Sequence, residues 1–306
     1  MAELRHLYGQ HEALAGVTFT VARGELFGLL GPNGGGKSTL FKILATLLRA
    51  SGGTARVAGH DVAREPAAVR RRLGVVFQHP SVDTKLTVGE NLIHQGHLYG
   101  LRGRVLRARV DRLLERFGLA ERRGDLVERL SGGLQRRAEL AKGLLPGPEI
   151  LLLDEPSTGL DPGARRELIA YLRALRDQEG VTVVLTTHYM EEAERCDRVA
   201  VLDRGRLVAL GRPEVLKAQV GGDVVVVQTA APESLRERVR ARLGIDGTLV
   251  DGTLRLEHVR GHELVRDLVE AFPAEVEAIT YGKPTLEDVF VHVTGHRFFA
   301  GGAEER

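Results

Sequence analysis

Six residues in two short stretches have the types and spacing to do chemistry on a nucleotide: Gly31, Gly36, Lys37 and Ser38, then Asp154 and Glu155. The first four stand in GPNGGGKST, residues 31–39, which places four glycines in nine positions. Gly31, four further residues and then Gly36-Lys37-Ser38 is the spacing of a loop whose backbone N–H groups, with the helix N-terminus behind them, surround phosphates. Glycine is needed there because a side chain would block the approach. Phosphate-binding candidates are therefore Gly31, Pro32, Asn33, Gly34, Gly35, Gly36, Lys37, Ser38 and Thr39, with a ligand-free glycine turn as the plain alternative. The phosphates of ATP arrive with Mg2+, which takes oxygen ligands. Asp154-Glu155 supplies carboxylates directly after the apolar run of residues 150–153. We assign Asp154 to the metal shell with Ser38, and Glu155 to polarising the water that attacks the γ-phosphate. An Asp-Glu pair after a strand can also cap a helix; the glycine loop elsewhere in the chain favours the first reading.

The elements that must position these residues can be read from hydrophobic pattern. Residues 26–30, LFGLL, form a nearly continuous apolar run, as a strand buried on both faces does, and residues 38–48 carry apolar side chains at helical spacing. Residues 150–153 and 181–185 are two more buried strands. Doubly wound sheets place ligands at the C-terminal ends of such strands, which is where the loop, Asp154 and Glu155 all fall.

A third stretch, LSGGLQRR at residues 130–137, opens a helix with a serine hydroxyl and two glycines that bare backbone donors, a second place suited to an anion. Together with GPNGGGKST and LLLDEP it resembles the ATP-binding subunit of an ABC transporter. The resemblance implies a cassette fold: a parallel core sheet, an antiparallel β edge and a helical insert. It implies that Ser131 and Gly133 close on the ATP held by the loop of a second subunit, in a homodimer or a heterodimer with a related ATPase. It also implies that Tyr8 stacks on adenine, that Gln78 reaches Mg2+ and senses the γ-phosphate, that Asp161 in STGLD communicates across the dimer, and that His188 contacts the γ-phosphate. Two positions depart from the common pattern. Gly35 stands where many members have alanine, and Leu134 where many have glutamine. The second variation is familiar in the exporter branch similar to daunorubicin-resistance and multidrug ATPases, and no contact is assigned to Gln135.

Composition narrows the partners. Of 306 residues, 43 are basic and 41 acidic, a net charge of +2 with dispersed arginines, so no basic field argues for nucleic acid. No apolar run approaches the roughly 20 residues of a spanning helix, the N-terminus lacks a secretory pattern, and Cys196 is the only cysteine. With these features, the resemblance implies a peripheral protein at the cytoplasmic face of a membrane, driving a permease that is a separate chain. Residues 1–220 read as the ATPase cassette, with its helical insert at about 84–145. Residues 221–306 alternate as β-α-β-β-α-β, the pattern of a small ferredoxin-like α+β domain, followed by the tail PTLEDVFVHVTGHR, which resembles exporter ATPases. Residues 301–306 read as a frayed end, and a chain ending at Gln219 is expected to bind ATP. The alternatives are a non-transport ABC ATPase of DNA repair or translation, whose long heptad arms, tandem cassettes or zinc modules are not visible, and an unrelated phosphate-loop kinase, against which LSGG argues.

Overall fold

The computed structural model describes residues 1–298; the end read as frayed lies outside them. At the centre is a six-stranded sheet in the order Arg206–Gly211, Arg198–Asp203, Leu26–Leu30, Thr182–Thr187, Ile150–Asp154, Leu73–Val76. Every neighbouring pair is parallel except the hairpin formed by the first two. Leu26–Leu30 and Thr182–Thr187 are buried at every position, which explains why the first reads as unbroken apolar sequence: a parallel strand covered on both faces has no side left for polar residues. One core lies on each side of this sheet.

Beside it stands a three-stranded antiparallel sheet ordered His11–Val17, Ala2–Tyr8, Gly52–Thr54. The helical insert holds Val88–Leu98, begun by a reciprocal capping box between Thr87 and Glu90, and Gly103–Arg116, which buries Leu106, Val110, Leu113 and Leu114 as its periodicity requires. Helix Gly132–Leu144 starts at Ser131, whose hydroxyl accepts from Leu134 N at 3.4 Å. Helix Pro162–Glu179 is capped by Asp161, which accepts from Gly163 N at 2.8 Å and Ala164 N at 3.0 Å, and it stops at Gly180 in the left-handed region.

Beyond residue 220, four antiparallel strands in the order Gly247–Val250, Thr253–His258, Asp223–Gln228, Ala278–Gly282 pack with helices Pro232–Leu243 and Gly261–Ala271. Val225, Val227, Leu235, Val239, Leu254, Leu256, Leu264, Leu268 and Phe272 make a core of their own. The tail behaves differently. Helix Leu286–Thr294 puts Leu286, Val289 and Phe290, with Phe298 after it, into the same core as Leu216 and Val220 of the nucleotide-binding unit. Its other side meets the four-stranded sheet through Asp288 with Arg255 and through His292 with Glu257 at 3.2 Å, and His296 then lies 3.2 Å from Asp203. The division at 220/221 is therefore not a boundary between independent cores. A cut after Gln219 strips buried contacts from the first unit, so ATP binding by a chain ending there is a test of how far that unit folds without the tail.

Candidate functional site

The loop between strand Leu26–Leu30 and helix Lys37–Leu44 is shaped by what it packs against. A Cβ at Gly31 would stand 2.4 Å from Leu202 O, and one at Gly36, whose φ is 100°, would stand 2.7 Å from Ala13 O. Backbone from the neighbouring hairpin holds the loop: Gly205 N donates to Gly35 O at 3.2 Å, and Gly35 N turns back to Pro32 O at 3.1 Å. Lys37 is only 4% exposed. Its Nζ donates to Gly31 O at 2.7 Å and Pro32 O at 3.1 Å, so the ammonium is held inside the loop curve. Burial pulls the Lys37 pKa down, against the upward pull of Glu155 and Asp154.

Asp154 ends the strand two places away, and Glu155 follows it with φ at 44°, a left-handed conformation that a non-glycine residue keeps only under outside restraint. Four side chains converge on the Glu155 carboxylate. Gln78 Nε2 donates to Oε2 at 3.2 Å, Thr158 Oγ1 donates to Oε2 at 3.3 Å, His188 Nδ1 lies 3.3 Å from Oε2, and Lys37 Nζ lies 3.6 Å from Oε1. The bond with His188 is the largest cause that pulls the Glu155 pKa down, so this carboxylate is ionised at neutral pH. Burial pushes Asp154 the other way, and Thr186, whose hydroxyl donates to Asp154 Oδ1 at 2.6 Å, offsets part of that.

Tyr8, Asn33, Gly34, Gly36, Lys37, Ser38, Thr39, Gln78 and Glu155 line one cavity of about 490 Å³. These sequence-predicted residues are thus gathered from the antiparallel edge, the loop, the strand before the helical insert and the end of the Asp154 strand, whereas Gly31, Pro32, Gly35, Asp154 and His188 do not line the cavity, His188 reaching the site through Glu155. Tyr8 is 46% exposed at the rim, its ring in a T-shaped contact with His6 at 4.5 Å. His11 and Ala13 also line this cavity and were not foreseen; they follow from the hairpin that pairs Tyr8 with His11. Ser131, Gly133 and Asp161 are elsewhere. They line a different cavity, about 920 Å³, that shares no lining residue with the first.

The donor set suits a hard divalent cation. Ser38 offers a hydroxyl, Gln78 an amide oxygen left over once its Nε2 donates to Glu155, and Asp154 a buried carboxylate. Among the described residues no three His, Cys, Asp or Glu side chains converge on one point. Such a set matches Mg2+, which takes one or two protein carboxylates and completes its octahedron from substrate phosphate and water.

A family model described as ABC transporter matches residues 14–158, and one described as "AAA domain, putative AbiEii toxin, Type IV TA system" matches residues 125–192. The chain is 45% identical over 298 residues to the daunorubicin resistance ATP-binding protein DrrA3 of Streptomyces coeruleorubidus, covering 94% of this chain and 93% of the relative. The chain belongs to the ABC transporter ATP-binding family. Full-length likeness extends to the linearmycin resistance ATP-binding protein LnrL of Bacillus subtilis, at 33% identity with 95% and 96% of the two chains covered. A dimeric ATP-binding cassette solved in a post-hydrolysis state with ADP and Pi superposes with a TM-score of 0.63 at 27% identity, covering 69% of this chain and 97% of that one. This ABC ATPase is an ATP hydrolase and the ATP-binding subunit of a transporter, which sets aside the non-transport alternative. No helix among its described residues is long and apolar enough to cross a membrane.

Proposed function

We propose that this subunit hydrolyses ATP in a head-to-tail pair, in which the loop of one subunit holds the nucleotide and the Ser131 surface of the other covers it, and that the pair drives export through a permease on a separate chain. One observation carries the reading: Ser131 and Gly133 face a cavity of their own, away from Lys37 and Glu155, so the two anion-binding features of one chain do not share one phosphate. The partner is a second copy of this chain or a related ATPase. The dimeric post-hydrolysis cassette supports the pairing, and relatives named for resistance to daunorubicin and to linearmycin support export. Because relatives so alike in length differ in the compound named, the cargo is read by the permease. Association with a membrane follows from that partner.

Within the site, the roles follow from charge and position. Lys37 and the N–H groups of residues 33–39 bind the phosphates, and Tyr8 stacks against the base. Ser38, Gln78 and Asp154 hold Mg2+, which when bound neutralises phosphate charge. Glu155 orients and polarises the attacking water, while His188 and Gln78, both on its carboxylate, carry the presence of the γ-phosphate to the strand ends. Asp161, capping the helix beside the Ser131 surface, lies where a partner subunit would sense it. Residues 221–306 are an accessory unit, ferredoxin-like in strand order, that steadies the pair.

The test is Glu155→Gln. It is expected to bind ATP as the parent does, to lose hydrolysis by about 10²–10⁴-fold, and to elute as a dimer with ATP, whereas the parent with ADP elutes as a monomer. Hydrolysis at the parental rate would remove Glu155 from the chemistry, and equal elution volumes would remove the paired arrangement.

A further inference from the structure

One hydroxyl touches both acidic residues of the site. Thr186 lies on the strand between the loop strand and the Asp154 strand, in register with Leu29 on one side and Asp154 on the other, and it is 0% exposed. Its Oγ1 donates to Asp154 Oδ1 at 2.6 Å and accepts from Glu155 N at 2.8 Å. A hydroxyl has one proton to give and lone pairs to receive with. With the proton committed to Asp154 Oδ1, only the lone pairs can meet Glu155 N–H, so the direction of both bonds is fixed.

We propose that Thr186 is a positioning residue for ATP hydrolysis, whose single hydroxyl sets the rotation of the Asp154 carboxylate and the backbone turn at Glu155 together. The consequence for Asp154 is that Oδ1 is engaged, leaving Oδ2 as the oxygen open to a cation. The consequence for Glu155 concerns its φ of 44°. A residue in that region relaxes unless its surroundings over-determine it; Thr186 holds the turn at its N–H, and Thr158 N, donating to Glu155 O at 3.2 Å, holds it at its carbonyl. Release of the turn would swing the carboxylate off the donors it shares with Gln78, Thr158 and His188. Both effects act on the geometry of the reacting end of the site; the loop N–H groups are untouched, and Lys37, which loses only its 3.6 Å pairing with Glu155, keeps its bonds to Gly31 O and Pro32 O. Thr187, the next residue, is engaged otherwise: its hydroxyl donates to Glu192 Oε2 at 2.6 Å and accepts from Tyr189 N at 2.9 Å. The two threonines are therefore not interchangeable.

This inference rests on the roles given to Asp154 and Glu155 above, and the experiment separates the two. Thr186→Val keeps the shape and removes the hydroxyl; Thr186→Ser keeps the hydroxyl and removes the methyl. Turnover and binding of a fluorescent ATP analogue, with and without Mg2+, are measured for both, beside Glu155→Gln. Losing a buried bond at each of two groups is expected to lower kcat of Thr186→Val about ten- to a hundredfold. Metal-free analogue affinity is expected within about twofold of the parent, with the Mg2+-dependent gain in affinity reduced. Thr186→Ser is expected to recover kcat to within a few-fold. Parental kcat and Mg2+ gain in Thr186→Val, or equal losses in the Val and Ser variants, would overturn the proposal. So would a loss confined to metal-free affinity. If Thr186→Val does not fold, Thr186→Ala takes its place with the same expected split against Ser. Parental turnover in Glu155→Gln would instead bring down the reading of the site itself.

Discussion

The glycines of the phosphate loop and the glycines of the Ser131 surface look alike in sequence and differ in what surrounds them. Gly31 and Gly36 are hemmed in by this chain's own backbone, where a Cβ would come within 3 Å of Leu202 O or Ala13 O. Gly132 and Gly133 face open space, with nothing within 4 Å of a Cβ at either. The loop glycines are required by the fold that contains them. Those at the start of helix Gly132–Leu144 meet nothing among the described residues, which is what a surface kept clear for a partner subunit would show. The same split runs through the charges. Lys37, Asp154 and Glu155 are buried, Lys37 paired with Glu155 and Asp154 bonded by Thr186, whereas Ser131 stands exposed at a helix start with open donors behind it. One region is finished within the subunit, and the other is half of something.

This contrast can be broken in three places. The largest effect belongs to Lys37→Ala, which removes the side-chain ammonium that, among the described residues, lines the loop cavity; nucleotide affinity should fall by at least about a hundredfold, as the loss of a buried charge-assisted bond to phosphate implies, and isothermal titration with ATP measures it. A retained affinity would mean that the loop backbone suffices. Gly31→Ala comes next. Forcing a methyl against Leu202 O should destabilise the folded subunit by about 1–3 kcal/mol, seen as a lowered thermal midpoint without any nucleotide present. Gly133→Ala is the smallest on the isolated subunit and the most telling. Its midpoint and its ATP affinity should match the parent, while ATP-dependent dimerisation in the Glu155→Gln background weakens, as sedimentation velocity would record. A changed midpoint in Gly133→Ala would show that the open glycines serve the fold after all.

Much of the nucleotide-binding unit was legible because its signals are local. An unbroken apolar run such as residues 26–30 can only be a buried strand when glycines cut it short, and the spacing from Gly31 to Ser38 fixes which backbone groups face a ligand. Asp154 and Glu155 were legible from their place at a strand end. Tyr8 could be singled out only through resemblance, since nothing in HLYGQ distinguishes an aromatic at a cavity rim from one in a core. Thr186 was invisible for a different reason. In VVLTTH it reads as one more β-branched strand residue, and its role exists only once strand pairing sets it opposite Asp154. The packing of the tail was hidden in the same way. Its amphipathic pattern states that Leu286, Val289 and Phe290 must be buried, and it cannot state against which unit.

That last packing has a consequence for how the protein is made. A ribosome releases residues 1–220 before it has polymerised the helix Leu286–Thr294, a lag of several seconds at about 5–20 residues per second. Throughout that interval the surface meant for Phe290, which is 0% exposed in the finished chain, has no cover. A nascent chain stopped before that helix is expected to carry every nucleotide motif and still show an apolar patch to chaperones, which raised binding of a hydrophobic dye by a chain ending at residue 285 would record.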